Sequence, residues 1–429
     1  MKDENRQLLQ RFAKAGMADA LTPVVAAVEA GDIAAGRTAL AGADLSGTDL
    51  PDSVGHRVGL AFQIAMRSIE RLTETGAVDH LDFSAPFGKS PDVGGLALTE
   101  DNLQTLAKAL ITEGQKIVAR RWPCPSCGGS GARVGAAPLM GRFQPYARLY
   151  FDLDAILAPF RDTVQASDLE WDTVVAKLLQ HFNMRSPVVL CESCGLHYLD
   201  WEYDPRRIDA FYAGREMIDF TLDGVAVSGR GHSPEFVFKK LGLPLHVDAQ
   251  LGGVAGKRVF DLGCAEGVMM EAFRHLGATV SGADLDRSKV AYAKRILDHQ
   301  DIDERADALQ RLAPGSVDTL VCYHTLEHLI RVGPWLDAMA AALSPGGSLV
   351  VSVPDVTVQS DGTAIEMGGD HWIGFNADTL RRHVEAAGLT VVDLRSDNGI
   401  APLRDADPIF GLPTWSGRRV DTTVIARKP

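Results

Sequence analysis

Apolar residues recur at three- and four-residue intervals through the first 118 positions, the pattern of helices that bury one face. One such stripe runs from Asn5 to a stop at Gly31. A second spans Val54–Gly76 and a third Thr99–Arg121. In the third, Thr99 is a good N-cap, and Leu103, Leu106, Leu110 and Ile111 share a face. Between the first two, "AGADLSGTDLPDS" echoes a pentapeptide repeat but is too short to stack, so it reads as a loop. This region carries no chemical signature; packing, a homodimer contact or a substrate lid are its expected roles. A cysteine-bearing segment follows at 119–215, with an insertion around "YARLYFDLDAILAPF" and "DLEWDTVVAKLLQHF" that reads as mostly helical. Residues 216–250 form a connector punctuated by Gly, Ser and Pro.

From 251 to 429 the period changes. "KRVFDLG", "TVSGADL", "VDTLVCYHT" and "SLVVSVPD" read as strands, separated by helices at "VMMEAFRHLG", "RSKVAYAKRILDHQ" and "PWLDAMAAALSPGG". Such alternation predicts an α/β fold with a parallel sheet covered on both faces. "LTVVDLRSD" and "VDTTVIARKP" have no helix between them, which predicts an antiparallel edge pair.

Composition narrows the setting. The chain has 429 residues, enough for about two or three domains, with 46% hydrophobic and 23% charged residues. The polar start "MKDENRQLLQ" does not read as a signal peptide. No apolar run approaches the roughly 20 residues a membrane helix needs, so the expected compartment is the cytoplasm. A net charge of −13 argues against a broad nucleic-acid surface. Six cysteines, four of them in two CxxC pairs, suggest metal rather than a secreted disulfide framework.

"VFDLGCAEGVMMEAF" places Asp261, Gly263, Ala265 and Gly267 in the turn after the first strand, where small residues let backbone approach a ligand. Similar turns serve nicotinamide and flavin proteins. Here an acid, Asp261, ends the strand just before the glycines. A pyrophosphate would be repelled there and an amino-acid ammonium welcomed. Asp284, about 20 residues on, ends the next strand, where it can accept hydrogen bonds from ribose hydroxyls.

The series "DLGCAEG", "GADLDRS", "YHTLEHL", "LSPGG" and "VSVPD" resembles, in order and spacing, the class I S-adenosylmethionine-dependent methyltransferases. Ala265 and Asp355 are mild departures from that pattern. The resemblance implies a seven-stranded Rossmann-like domain over 251–429. It implies Gly263 and Gly267 at the methionine part of S-adenosyl-L-methionine, Asp284 at the ribose, and Asp307 with Ala308 at the adenine edge.

Tyr323, His324, Glu327 and His328 fall just beyond the fourth strand, at the carboxyl edge where open α/β sheets take substrates. Methyl transfer is an in-line displacement that needs a positioned, deprotonated acceptor. His328 is the candidate base and Glu327 its helper. In related quinone-pathway O-methyltransferases this pair ligates a divalent metal with a Glu three residues earlier, a place His324 takes here. Asp370 and His371, with Phe375, stand where relatives carry an "EHxxxF" segment, making His371 a second base candidate.

Cys124, Cys127, Cys191 and Cys194 give the ligand set of a closed tetrahedral zinc site, each pair followed by Gly as in zinc knuckles. The 63 residues between Cys127 and Cys191 are tolerable because closure cost grows only logarithmically with length. Cys264 and Cys322 read as buried small apolar residues. "LCESCGLHYLDWEYDPRRIDAFYAG" resembles the segment after a zinc ribbon in bacterial sugar and natural-product methyltransferases. That makes Tyr203, Phe211 and Tyr212 candidate acceptor-pocket residues.

The expected function is therefore methyl transfer to a small molecule such as a sugar, sugar nucleotide or biosynthetic intermediate. Two rivals remain: an RNA methyltransferase and a non-catalytic scaffold. Against the first, 124–215 holds nine Lys/Arg and eleven Asp/Glu, which makes no basic face. Retention of the whole motif series argues against the second.

Overall fold

The computed structural model describes residues 17–45, 52–75, 121–138, 156–160, 185–201, 205–214, 220–358, 364–397 and 421–429, with isolated positions at 13 and between 104 and 112. The described part of the first apolar stripe folds as α1 (Ala18–Glu29), α2 (Ile33–Ala41) follows outside either stripe, and the second stripe folds as α3 (Asp52–Glu74). Asp32 caps α2 by accepting from the Ala35 amide at 2.9 Å. The stripe from Thr99 and most of the helical insertion lie outside the described residues.

Strands β1 (Gly131–Pro138), β2 (Arg185–Cys191) and β3 (His197–Leu199) form an antiparallel ribbon. Register pairs Gly131 with Cys191 at one end and Pro138 with Arg185 at the other. The insertion therefore leaves and re-enters at the end of the hairpin opposite the cysteines, which is how a long separation closes on one site. Helix α4 (Pro205–Gly214) follows.

The expected connector is instead folded. A hairpin, β4 (Phe220–Leu222) and β5 (Val225–Val227), turns at Asp223–Gly224, both with positive φ. Asp-Gly is favoured in that conformation, and the turn's twist matches the strands it joins. Helices α5 (Pro234–Lys240) and α6 (Gly242–Leu251) complete it, α5 capped by Ser233 with Pro234 in the first turn.

The C-terminal sheet has seven strands: β6 (Arg258–Leu262), β7 (Thr279–Ala283), β8 (Ile302–Asp303), β9 (Val317–Tyr323), β10 (Leu343–Pro354), β14 (Thr390–Asp397) and β15 (Asp421–Arg427). Their order is β14-β15-β10-β9-β6-β7-β8. β15 runs antiparallel to both β10 and β14, and the strands from β10 to β8 are mutually parallel. The antiparallel pair is thus where it was expected. The two-residue β8 is an addition, too short to carry a pattern.

Side chains alternate across this sheet. Val259, Val321, Val350 and Ile425 meet α6 and α7 (Val268–His275) on one face. Phe260, Leu320, Leu349 and Val424 meet α9 (Val332–Ala342) and α10 (Ala377–Ala386) on the other. Helix α8 (Arg287–Arg295) supplies Tyr292 to a core shared with α1, α3 and α5. The N-terminal helices are thus packed directly on the sheet domain. A charge contact joins them: Arg67 of α3 reaches the fully buried Glu271 of α7 at 2.8 Å.

Two pairs of short strands finish the fold. β11 (Thr357–Val358) pairs with β12 (Ala364–Ile365). β13 (Ile373–Gly374) leaves the sheet domain and joins the cysteine ribbon as its fourth strand, with Ile373 opposite Tyr198 and Gly374 opposite His197. No helix among the described residues is long and apolar enough to cross a membrane.

Candidate active site and cysteine cluster

The chain steps from β6 to β7 to β8 in one direction, then crosses back to β9 on the other side of β6. A crevice opens outside the carboxyl ends of β6 and β9, the place where open α/β sheets take ligands. Asp261 and Gly263 lie on its β6 side, and Tyr323 to His328 on its β9 side.

The turn after β6 is built for close approach. Gly263, Ala265 and Gly267 all have positive φ, at 79°, 48° and 76°. A Cβ on Gly263 would collide with the Thr325 hydroxyl, so the β9 loop itself demands glycine there. Ala265, standing where the family has glycine, accepts left-handed strain of about 1 kcal/mol.

Asp284 braces this turn. Its Oδ2 accepts the Ala265 amide at 2.8 Å and its Oδ1 the Asp286 amide at 2.8 Å. Each oxygen keeps lone pairs for a further donor. Asp261 is fully buried, and neither of its oxygens has a hydrogen-bond partner among the described residues. Burial pushes its carboxyl up to about 7; Lys240 pulls it down, and Asp284 and Glu266 push it up. An orphaned buried carboxylate beside a backbone cradle fits the ammonium end of an amino-acid ligand. Ala308 is buried and Asp307 exposed, 3.7 Å from Arg311.

On the β9 side, three of the expected residues converge. Ligand atoms of Glu327, His328 and His371 all lie within 4.8 Å of one another. His328 Nδ1 is 2.8 Å from the Asp370 carbonyl, and His371 Nδ1 is 3.0 Å from the Glu366 carbonyl. A carbonyl accepts only, so each Nδ1 carries a proton, and in the neutral tautomer that this selects the lone pair is on Nε2. Glu327 is buried, and both its carboxylate oxygens lack a hydrogen-bond partner among the described residues. Burial lowers the His371 pKa, against the pull of the Glu327 and Asp370 carboxylates.

Tyr212 closes the wall. Its hydroxyl donates to Asp370 Oδ2 at 3.2 Å, and its ring meets those of His328 and Trp372 edge-on or tilted. Phe211 packs against Tyr212, and Tyr203 lies outside the described residues.

His324 is placed elsewhere. Its ring stacks on Tyr323 and its Nε2 lies 3.1 Å from Asp421 Oδ2, at the start of β15. Burial lowers its pKa, but the charge and hydrogen bond of Asp421 outweigh this and the net shift is upward. Its backbone is left-handed, with φ 49°. Asp421 and Thr325 carry no signal in the sequence as partners of His324 and Gly263, because the fold alone brings these distant positions together.

The four Cys Sγ atoms converge within 4.8 Å, with Cys124–Cys194 at 3.6 Å and Cys127–Cys191 at 3.5 Å. Four sulfurs about 2.3 Å from one ion sit about 3.8 Å apart, so the spacing fits a tetrahedral zinc shell. The two knuckles are alike: Gly128 N–H donates to Cys124 O at 2.8 Å and Gly195 N–H to Cys191 O at 2.9 Å. Contact with Cys124 and burial raise the Cys194 thiol, a cost that a central cation reverses. Cys264 and Cys322 are buried, in the apolar setting expected of them.

The ribbon is tied to the acceptor edge by backbone. Leu199 N–H donates to Trp372 O at 2.9 Å, and Trp372 N–H to Glu327 O at 3.2 Å. Thr379 Oγ1 of α10 donates to Gly195 O at 3.0 Å.

A methyltransferase domain family matches residues 240–394. The ubiquinone biosynthesis O-methyltransferase of Idiomarina loihiensis is 31% identical over 172 residues, 37% of this chain and 69% of that protein. The proteins of that name from a Bradyrhizobium species and Nitrobacter winogradskyi are 37% and 32% identical, over 24% and 33% of this chain. Those two matches span 42% and 60% of the relatives' own length, about half of each. A solved S-adenosylmethionine-dependent methyltransferase from Mesorhizobium loti aligns over 43% of this chain and 96% of its own, at 22% identity and TM-score 0.34. With the family match, the Idiomarina relative and the observed sheet order, the chain belongs to the class I S-adenosylmethionine-dependent methyltransferases.

Proposed function

We propose that this chain transfers the methyl group of S-adenosyl-L-methionine to a hydroxyl of a small-molecule acceptor. The observation that carries the reading is the convergence of Glu327, His328 and His371 across the crevice from the Asp261–Gly267 turn. The curated relatives are named as O-methyltransferases, which favours oxygen as the accepting atom. The scaffold that bears the hydroxyl is a sugar, sugar nucleotide or other biosynthetic intermediate.

When bound, the cofactor supplies an electrophilic methyl group. Asp261 receives the ammonium of its amino-acid part, and Gly263 and Gly267 allow the backbone to approach. Asp284 takes the ribose hydroxyls, and Asp307 with Ala308 borders the adenine. On the acceptor side, His328 Nε2 takes the hydroxyl proton, its Nδ1–H being held on Asp370 O. Glu327 stabilises the imidazolium that forms, and His371 with Tyr212 orients the acceptor. His324, turned to Asp421, shapes the floor of the crevice and does not exchange the acceptor's proton. The four cysteines hold a structural zinc, which keeps the ribbon and its β13 partner in register.

A second reading has one observation in its favour: two imidazole Nε2 atoms and an orphaned carboxylate, each imidazole fixed by a carbonyl behind it. That donor set fits a divalent cation. Such an ion would lower the pKa of a bound hydroxyl, with Glu327, His328 and His371 as its holders.

The test is methyl transfer from labelled S-adenosylmethionine to a panel of hydroxylated acceptors, alongside calorimetric binding of S-adenosylhomocysteine. Tight S-adenosylhomocysteine binding and label in an alkali-stable ether support the reading. Failure to bind S-adenosylhomocysteine sinks it. A divalent-metal requirement restored by Mg2+ or Mn2+ after chelation selects the ion over the free base.

A further inference from the structure

The cysteine knuckles carry no cation of their own. Apart from the cysteines, "CPSCGG" and "CESCGL" hold a single ionisable side chain, Glu192, and it is acidic. Four thiolates around one divalent ion leave two negative charges uncompensated. The compensation has to come from another part of the fold.

Helix α10, which packs on the seven-stranded sheet, lays one face on the second knuckle. Thr379, Arg382 and His383 stand at i, i+3 and i+4, the spacing that shares a helix face. Thr379 Oγ1 donates to Gly195 O at 3.0 Å, and its own carbonyl accepts from His383 Nδ1 at 2.8 Å. Contact with Cys124 and burial raise the Cys194 thiol, and a hydrogen bond with His383 opposes them. Arg382 covers the turn itself. Gly195 has φ 73°, and a Cβ added there would collide with the Arg382 guanidinium, whose Cζ lies 3.3 Å from that position. Arg382 is exposed, and its Nε donates to Asp378 O at 3.3 Å. It forms no ion pair with a carboxylate among the described residues. Its neighbour Arg381 is engaged along the helix instead, 3.2 Å from Asp378 and 3.9 Å from Glu385.

We propose that Arg382 supplies positive charge that balances the zinc–tetrathiolate centre, so that the metal's affinity is set jointly by the ribbon and by α10. The centre then fastens the ribbon to the methyltransferase domain, and it holds its ion at full strength only while α10 is seated on the second knuckle. The inference rests on the zinc reading above and adds a residue from outside the ribbon that determines how tightly the ion is held.

Zinc affinity of the full chain, measured by competition with a chromophoric chelator, tests it. Arg382→Ala should weaken zinc about 10-fold or more, the scale of losing a group that supports metal ligands from behind. Arg382→Lys, which keeps the charge, should recover most of the loss. The deficit should shrink at about 1 M salt, where charges are screened beyond about 3 Å. Arg381→Ala, which removes a cation one position away, should bind zinc as the wild type does. Unchanged affinity in Arg382→Ala, an equal loss in Arg381→Ala, no recovery with lysine, or a deficit that salt leaves intact each overturns the proposal. A wild-type chain that takes up no zinc overturns the four-sulfur reading and this inference with it.

Discussion

Among the described residues, side chains able to ligate a metal gather at two places, and the two are built on opposite principles. The cysteine cluster is closed: four sulfurs face one another, and backbone turns at Gly128 and Gly195 complete each knuckle. The Glu327–His328–His371 cluster is open: two imidazoles are fixed from behind by carbonyls, and the carboxylate accepts no hydrogen bond among the described residues. A filled tetrahedral shell leaves no position for a substrate, whereas three donors with a free side do. Position agrees with build. The closed cluster lies at the end of the β1–β2 hairpin away from the insertion, and the open one follows β9 at its carboxyl end. What separates structure from chemistry here is whether the donors satisfy one another.

Breaking the closed cluster should have the largest effect. Cys124→Ser should reduce zinc from about one ion per chain to near none, measured by elemental analysis. Structural zinc binding is worth about 10 kcal/mol or more in small domains, so the ribbon should unfold with it. Because β3 pairs with β13, amide exchange at Trp372 and Ile373 should rise in the same variant. A zinc-free chain with an unchanged melting curve would remove the structural role.

Breaking the open cluster should do the reverse. Glu327→Gln and His328→Gln should each lower kcat about 100- to 10,000-fold, the range of a positioned proton-transfer group. Melting temperature should hold or rise for Glu327→Gln, since a buried carboxylate without a partner is replaced by a neutral amide. Steady-state kinetics with parallel calorimetry decides. A stability loss matching the activity loss would make this cluster structural as well.

The two clusters also differ in how far they could be read in the amino-acid sequence. The cysteines announce themselves in two CxxCG strings, and only the route of closure, at the opposite end of the β1–β2 hairpin, needed the fold. Glu327 and His328 were legible from their motif at a strand end. His371 was legible as a candidate, but not the tie that sets it: β13 is two residues long, and its partner β3 is some 175 residues away. The βα alternation and the final antiparallel pair followed from periodicity. The turn signal of hairpin β4–β5, Asp223–Gly224, stands within a segment whose Gly, Ser and Pro punctuation reads as a connector. Asp284 was read as a ribose acceptor alone, yet it also braces the turn through the Ala265 amide. His324 takes the place of a metal-ligating glutamate in the motif, yet it faces Asp421 across a gap no local pattern spans.

The smallest expected effect is the most specific to the cofactor side, and it sharpens the contrast from there. Asp261 is a buried carboxylate without a hydrogen-bond partner among the described residues, and burial raises its pKa to about 7. A carboxyl raised in the folded state stabilises most when it is protonated. Its contribution is full below about pH 4, and is lost as pH rises through about 7. An ammonium placed against it favours the charged form and lowers that pKa. Binding of S-adenosylhomocysteine at pH 6.5 should therefore release up to about three-quarters of a proton from this group. Calorimetry in buffers of different ionisation enthalpy measures that number directly. Asp261→Asn should abolish the release and flatten the ligand-free stability profile between pH 4 and 7. Lys240→Ala removes the cation that now holds the Asp261 pKa down, so it should enlarge the release. Binding of the wild-type chain without proton exchange in that window would separate Asp261 from the ammonium and leave its burial without a ligand to answer it.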